Sequence, residues 1–166
     1  METIKAYLPL CWFRNHILRL PQSGEFLKKN LLFYFGVVFF IQFNMSDDIE
    51  SVFEVVLEAL FSVSFIWLVL ILNRSLDNFA GVCSAVLFVQ NFISILVVPV
   101  VFWVTTTESL GSYIALMILM TWLILLVARI FKQILMINNS AALVVSLAYF
   151  GIVYGGSYAL YSLVAG

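Results

Sequence analysis

Long apolar runs broken by short polar clusters dominate this chain, and the lengths of those runs predict its architecture. A bilayer core of roughly 30 Å takes about 20 helical residues at ~1.5 Å rise each. Runs near that length, bounded by charged or turn-forming residues, predict transmembrane helices over 31–45, 52–72, 79–104, 113–128 and 141–164. The expected fold is therefore all-α and polytopic, with residues 1–29 as a cytoplasmic or interfacial segment and 30–166 as a five-helix membrane domain. The first run, LLFYFGVVFFIQF, is the shortest, so the hairpin of the first two spans is expected to dip below the membrane surface. NRSLDN forms a tight turn before the third span, which carries Gln90 and Asn91 near its middle and Pro99 near its end.

Composition agrees with this pattern: 64% of the residues are hydrophobic and only 10% are charged, against roughly 25% charged in soluble domains. A net charge of -1 points to no nucleic-acid partner. The distribution of charge says more than its sum. All 8 basic residues (Lys5, Arg14, Arg19, Lys28, Lys29, Arg74, Arg129 and Lys132) fall on one side of the predicted spans, while Asp47, Asp48, Glu50 and Glu108 fall on the other. The positive-inside rule then places the N-terminus in the cytoplasm and the C-terminus outside. No cleavable signal peptide is evident in the first thirty residues.

The segment before the first span alternates apolar bursts with basic residues and is interrupted by Pro9 and Pro21. It is expected to lie along the inner leaflet, with Trp12 at headgroup depth and Arg14, Arg19, Lys28 and Lys29 toward anionic lipid; a partner-docking role is the alternative. The 2 cysteines, Cys11 and Cys83, are read as free thiols on the reducing side, and His16 is the single histidine. No metalloprotease, nucleophile-elbow, phosphate-loop or CxxC motif occurs. An enzyme is disfavoured, and no catalytic residue, metal or cofactor is expected. Inverted repeats of the transporter kind are also not evident.

Helix association is better signalled. Gly151, Gly155 and Ala159 make a small-xxx-small row in the fifth span, suited to internal packing or to self-association. Gln90 and Asn91 are expected to hydrogen-bond to neighbouring helices, or else to form a polar substrate site. Glu50, Glu54 and Glu58 recur every fourth residue at the outer end of the second span, and Ser62 continues the stripe. Asp47 and Glu50 fit a helix-capping pattern. Glu58 lies fourteen residues before Leu72, roughly 21 Å along the helix, and so falls inside the membrane. Every basic residue is on the far side. Its partners are then water, a proton, a cation, a neighbouring subunit or hydroxyl groups, with Tyr154, Tyr158 and Tyr161 of the fifth span at the same depth as candidate donors. A hydrated or hydrogen-bonded face, a protein contact and an ion or proton path all stay open.

The segments FRNHILRLPQSGEFL, LDNFAGVCSAVLFVQNFISILVVPVV and TWLILLVARIFKQILMINNSAAL together resemble the Ypt-interacting protein (YIP) family. The likeness runs from Phe13 to Tyr158 and includes Pro99 near the outer end of the third span and Trp122 in the fourth. The Asp-Leu-Tyr-Gly-Pro motif of the eukaryotic members does not occur, so the chain looks like the compact bacterial branch. The resemblance implies a bacterial inner-membrane location, or Golgi or ER in a eukaryote. It also implies a non-enzymatic role in membrane organisation, trafficking or scaffolding, with the lipid bilayer and other membrane proteins or a second copy as partners. The alternative is a small transporter or ion- or proton-conducting oligomer using Glu54 and Glu58.

Overall fold

Each apolar run folds as an α-helix, because in hydrocarbon only a helix satisfies the backbone N–H and C=O groups of an isolated segment. The computed structural model describes residues 2–14, 17, 20–46, 51–107 and 109–165. Helix α1 (Glu2–Tyr7) and a 3₁₀ turn (Leu8–Trp12) lead into α2 (Gly24–Ser46), α3 (Ser51–Leu72), α4 (Phe79–Thr107), α5 (Leu110–Leu135) and α6 (Asn139–Phe150). A π turn (Gly151–Gly155) then joins α6 to α7 (Gly156–Ala165). Five helical stretches are long and apolar enough to cross a membrane, the fifth combining α6, the π turn and α7. No strand occurs among the described residues. The chain is an all-α polytopic membrane protein.

The helices outrun the apolar stretches that predict them. α2 starts at Gly24 and has 23 residues, roughly 34 Å of helix. The helix of the first span is therefore longer than its apolar run, with Glu25, Lys28 and Lys29 in the added turns. α5 likewise covers Leu110–Leu135 rather than 113–128, taking Arg129 and Lys132 into its last turns. Long basic side chains make this possible, since their stems lie along apolar surface while their heads reach the interface. Lys29 also pairs with Glu25 one turn earlier on α2, at 2.6 Å.

Successive spans run antiparallel. Asn30 lies beside Ser84 and Asn91, while Ile41 lies beside Val98 and Phe102, so α2 and α4 are parallel neighbours. Ser146 of α6 donates to the Ile124 carbonyl of α5 at 2.9 Å. α4 runs through the centre, touching α2, α3 and α5, and Gly81–Asn91 is buried without interruption. α3 closes the bundle against α2 on one side and the π turn with α7 on the other. Side-chain caps set the last two turns: Ser109 accepts from the Ser112 N–H, and Asn138 from the Ala141 N–H at 2.7 Å.

The N-terminal segment is docked against the bundle. Tyr7, Leu10, Cys11, Ile17 and Leu20 are buried, whereas Trp12, Arg14, Lys28 and Lys29 are exposed. The Tyr7 hydroxyl donates to the Pro21 carbonyl at 3.0 Å, and the Ile17 N–H donates to Gln133 Oε1 at 2.9 Å. Arg129 lies over the Phe13 ring, 5.7 Å from its centroid. Both cysteines are free and buried. All the described basic residues gather at this end of the bundle, where α2, α4 and α6 begin and α3 and α5 end.

Candidate functional site

Glu58 is the most unusual residue of the bundle. It sits on α3 about 10 Å from Ser51 along the helix axis, and only 1% of it is exposed. Two donors from α2 meet its carboxylate: Tyr34 Oη at 3.2 Å from Oε2, and Gln42 Nε2 at 2.7 Å from Oε1. Tyr34 and Gln42 stand eight residues apart, on the four-residue row Asn30, Tyr34, Val38, Gln42 that α2 turns toward its neighbours. The matching row on α3 is Glu54, Glu58, Ser62, Ile66 and Leu70, buried from Glu58 onward. The two rows face each other, which brings the tyrosine and the amide onto one carboxylate.

One turn further along α3, Ser62 shares a 2.6 Å hydrogen bond with the Tyr149 hydroxyl, and Gln90 Nε2 donates to the same hydroxyl at 3.2 Å. Tyr149 is fully buried and is ringed by Phe65, Phe131 and Phe150 in edge contacts. A second stitch joins α2 to α4: Asn91 Nδ2 donates to the Asn30 carbonyl at 2.9 Å, and Asn30 Nδ2 to the Ser84 carbonyl at 3.5 Å. The amides Gln90 and Asn91 thus serve helix association, and Asn91 is bonded to the residue that follows Lys28 and Lys29. Oδ1 of Asn91 and Oε1 of Gln90 are buried without a hydrogen-bond partner.

Glu58 also borders a cavity of about 470 Å³ on the acid-bearing half of the bundle, together with Gln42, Glu54, Ser94, Tyr154 and Tyr158. Among the described residues, no Lys or Arg lines it. Glu54 is half-buried, and Tyr158 is exposed. Tyr154 and Tyr158 therefore share the cavity with the two acids, as their common depth implies, but the donors to Glu58 come from α2 instead. Tyr161, one turn on, is half-buried. Glu50 and Arg19, with His16, Asp47, Asp48 and Glu108, lie outside the described residues.

Gly151 and Gly155 are exposed, and a Cβ on either would meet nothing within 4 Å. Ala159 is exposed as well. Their row therefore faces away from the bundle. It is Gly156, outside the row, that lies against a neighbour, the Phe61 ring of α3. The π turn contributes here, because its wider ring of backbone hydrogen bonds rotates the residues after it relative to a regular helix.

Tyr34, Gln42, Tyr149 and Asn30 are the site residues that the apolar pattern does not single out. Their signal is weak: each is a lone polar group in a membrane span, and such groups find internal partners. Chemically, the site offers two carboxylates, an amide and phenolic hydroxyls, a set that holds a proton or a cation. Among the described residues no group of three His, Cys, Asp or Glu side chains could hold a metal ion. No family model, curated protein or solved structure matches the chain.

Proposed function

We propose that this protein is a non-enzymatic membrane protein that works by lateral association, with itself or with other membrane proteins. Its role is in membrane organisation, trafficking or scaffolding, as the resemblance to the YIP family implies. One observation supports this reading above the rest: the backbone strip of Gly151, Gly155 and Ala159 is directed outward with open space over both glycines. In lipid, close helix approach depends on such small residues, because no hydrophobic drive exists between helices. We infer a bacterial inner membrane with the N-terminus cytoplasmic and the C-terminus periplasmic, or a Golgi or ER membrane in a eukaryote; the gathering of basic residues at one end supports that orientation. Reporter fusions after Asn44, Asp77 and Asn138 test the orientation. Association is tested by co-isolating two differently tagged copies, and any co-eluting membrane proteins, in mild detergent. Recovery of a lone, monodisperse monomer would overturn the association reading.

A second reading is favoured by the cavity beside Glu58. Two acids bordering one space without a basic neighbour suit a small transporter or an ion- or proton-conducting oligomer. Flux into proteoliposomes decides it: under this reading Glu58→Gln abolishes transport, whereas under the first it leaves association intact.

A further inference from the structure

A second cavity, of about 550 Å³, opens at the basic end between the N-terminal segment and the α2–α4 groove. Its size falls within the ~300–1,000 Å³ typical of ligand sites. Its lining changes character along the helix axis. At the mouth stand Ser23, Glu25 and Lys29, at the first turns of α2. Deeper toward the bilayer the walls become Phe33, Phe92 and Ile95, with Phe33 45% and Ile95 51% exposed, so the cavity is open sideways to lipid. A polar mouth at the membrane boundary over an apolar slot reproduces the polarity of one leaflet, and an amphiphile entering from the bilayer meets it in its own orientation.

Asn91 also lines this cavity, is 4% exposed, and spends its Nδ2 on the Asn30 carbonyl, which holds the α2–α4 wall together. At the mouth, Lys29 and Glu25 offer one charge of each sign at 73% and 76% exposure, a pair weak enough to part around a zwitterion.

We infer that this cavity binds a single phospholipid with a primary-ammonium headgroup. Its acyl chain lies along Phe33, Phe92 and Ile95, its phosphate sits beside Lys29, and its ammonium N–H groups donate to Glu25. Choline has no N–H to give, and a glycerol headgroup has no positive charge for Glu25. Among ethanolamine, choline and glycerol headgroups, the chemistry therefore selects ethanolamine.

The full chain is purified from nanodiscs containing equal parts of ethanolamine, choline and glycerol phospholipid, and its retained lipid is read by native mass spectrometry. One retained lipid is expected, enriched in the ethanolamine form by about tenfold, the equivalent of one charge-assisted hydrogen bond. Ile95→Trp fills the slot and should abolish retention, while Leu68→Trp, on a lipid-facing position away from the cavity, should leave it unchanged. Glu25→Gln should keep one lipid and lose the headgroup preference. Equal retention of choline and ethanolamine lipid by the unmodified chain, preference for the glycerol lipid, or full retention by Ile95→Trp would each overturn the assignment.

Discussion

The Tyr34 hydroxyl of α2 donates to the Glu58 carboxylate of α3 across 3.2 Å, in a place where neither group reaches solvent. Together with Gln42 it accounts for a carboxyl group that has no basic residue at its own end of the bundle among the described residues. Interhelical hydrogen bonds in membranes are worth about 0.6 kcal/mol on average and up to ~1.7 kcal/mol. Tyr34→Phe should therefore lower stability in detergent by that modest amount. Glu58→Leu should do more, because it strands the buried Tyr34 hydroxyl, at a cost of about 1–3 kcal/mol for a buried donor without an acceptor. A double-mutant cycle over Tyr34→Phe and Glu58→Leu, read by unfolding in mixed micelles, should give a clear coupling between the two sites. Purely additive effects would show that the bond contributes nothing.

Cys11 lies outside the membrane-spanning helices, in the 3₁₀ turn, and it is fully buried. Burial pushes its thiol up to about 12, since a thiolate there would be desolvated. The thiol is the protonated species throughout the ordinary pH range, and the thiolate is the reactive one. Maleimide labelling of Cys11 in the folded protein, followed in Cys83→Ala, should be slow at pH 7 and rise only when the N-terminal segment undocks. The sign of the pH effect follows: a pKa raised from 9.0 to about 12 costs the docked state stability as pH climbs through that interval. Labelling as fast as that of a free thiol at pH 7 would mean that the segment is not held against the bundle.

Much of this fold is legible in run lengths, and the buried site is not, for identifiable reasons. The apolar run that ends at Lys28 and Lys29 hides the true start of α2, because charged residues in the first turns of a membrane helix carry their heads to the interface. Asn30 and Tyr34 then stand near a boundary instead of on a buried row. Extending the helix to Gly24 reveals Asn30, Tyr34, Val38 and Gln42 at four-residue steps, the same step as Glu54, Glu58 and Ser62. Which of the two tyrosine-bearing helices reaches Glu58 is a matter of tertiary contact, and the shared depth of Tyr154 and Tyr158 cannot decide it. The π turn at Gly151–Gly155 is hidden for a similar reason, since no residue type marks it and it shifts the register of everything after it.

Met136 ends α5 in the left-handed region, with φ 53 and ψ 36, and is 84% exposed. A side chain there costs roughly 1–2 kcal/mol, which glycine avoids. Met136→Gly should stabilise the folded protein by about 0.5–1 kcal/mol, read as a rise in the midpoint of thermal unfolding in detergent. Phe13 has nearly the same backbone, at φ 58, but its ring lies under Arg129. Phe13→Gly should instead destabilise the N-terminal segment, since the contact it loses outweighs the strain it relieves. If both variants moved the midpoint the same way, backbone strain alone would govern the two turns.

Two adjacent glycines separate folding from association. A Cβ on Gly155 meets nothing within 4 Å, whereas one on Gly156 comes to 3.8 Å from the Phe61 ring. Leucine at 156 needs room that α3 occupies, so Gly156→Leu should open the α3–α7 contact and cost about 1–3 kcal/mol of stability by overpacking. Leucine at 155 extends into the space outside the bundle, so Gly155→Leu should leave unfolding within about 0.5 kcal/mol of the unmodified chain. The same side chain holds a partner's backbone away from the Gly151–Gly155–Ala159 strip, and close approach is what small residues permit. Co-isolation of differently tagged copies, or of a co-eluting membrane protein, should accordingly fall at least tenfold for Gly155→Leu while the monomer stays folded. Association that survives Gly155→Leu would remove the outward strip as the contact surface and leave the Glu58 cavity as the better guide to function.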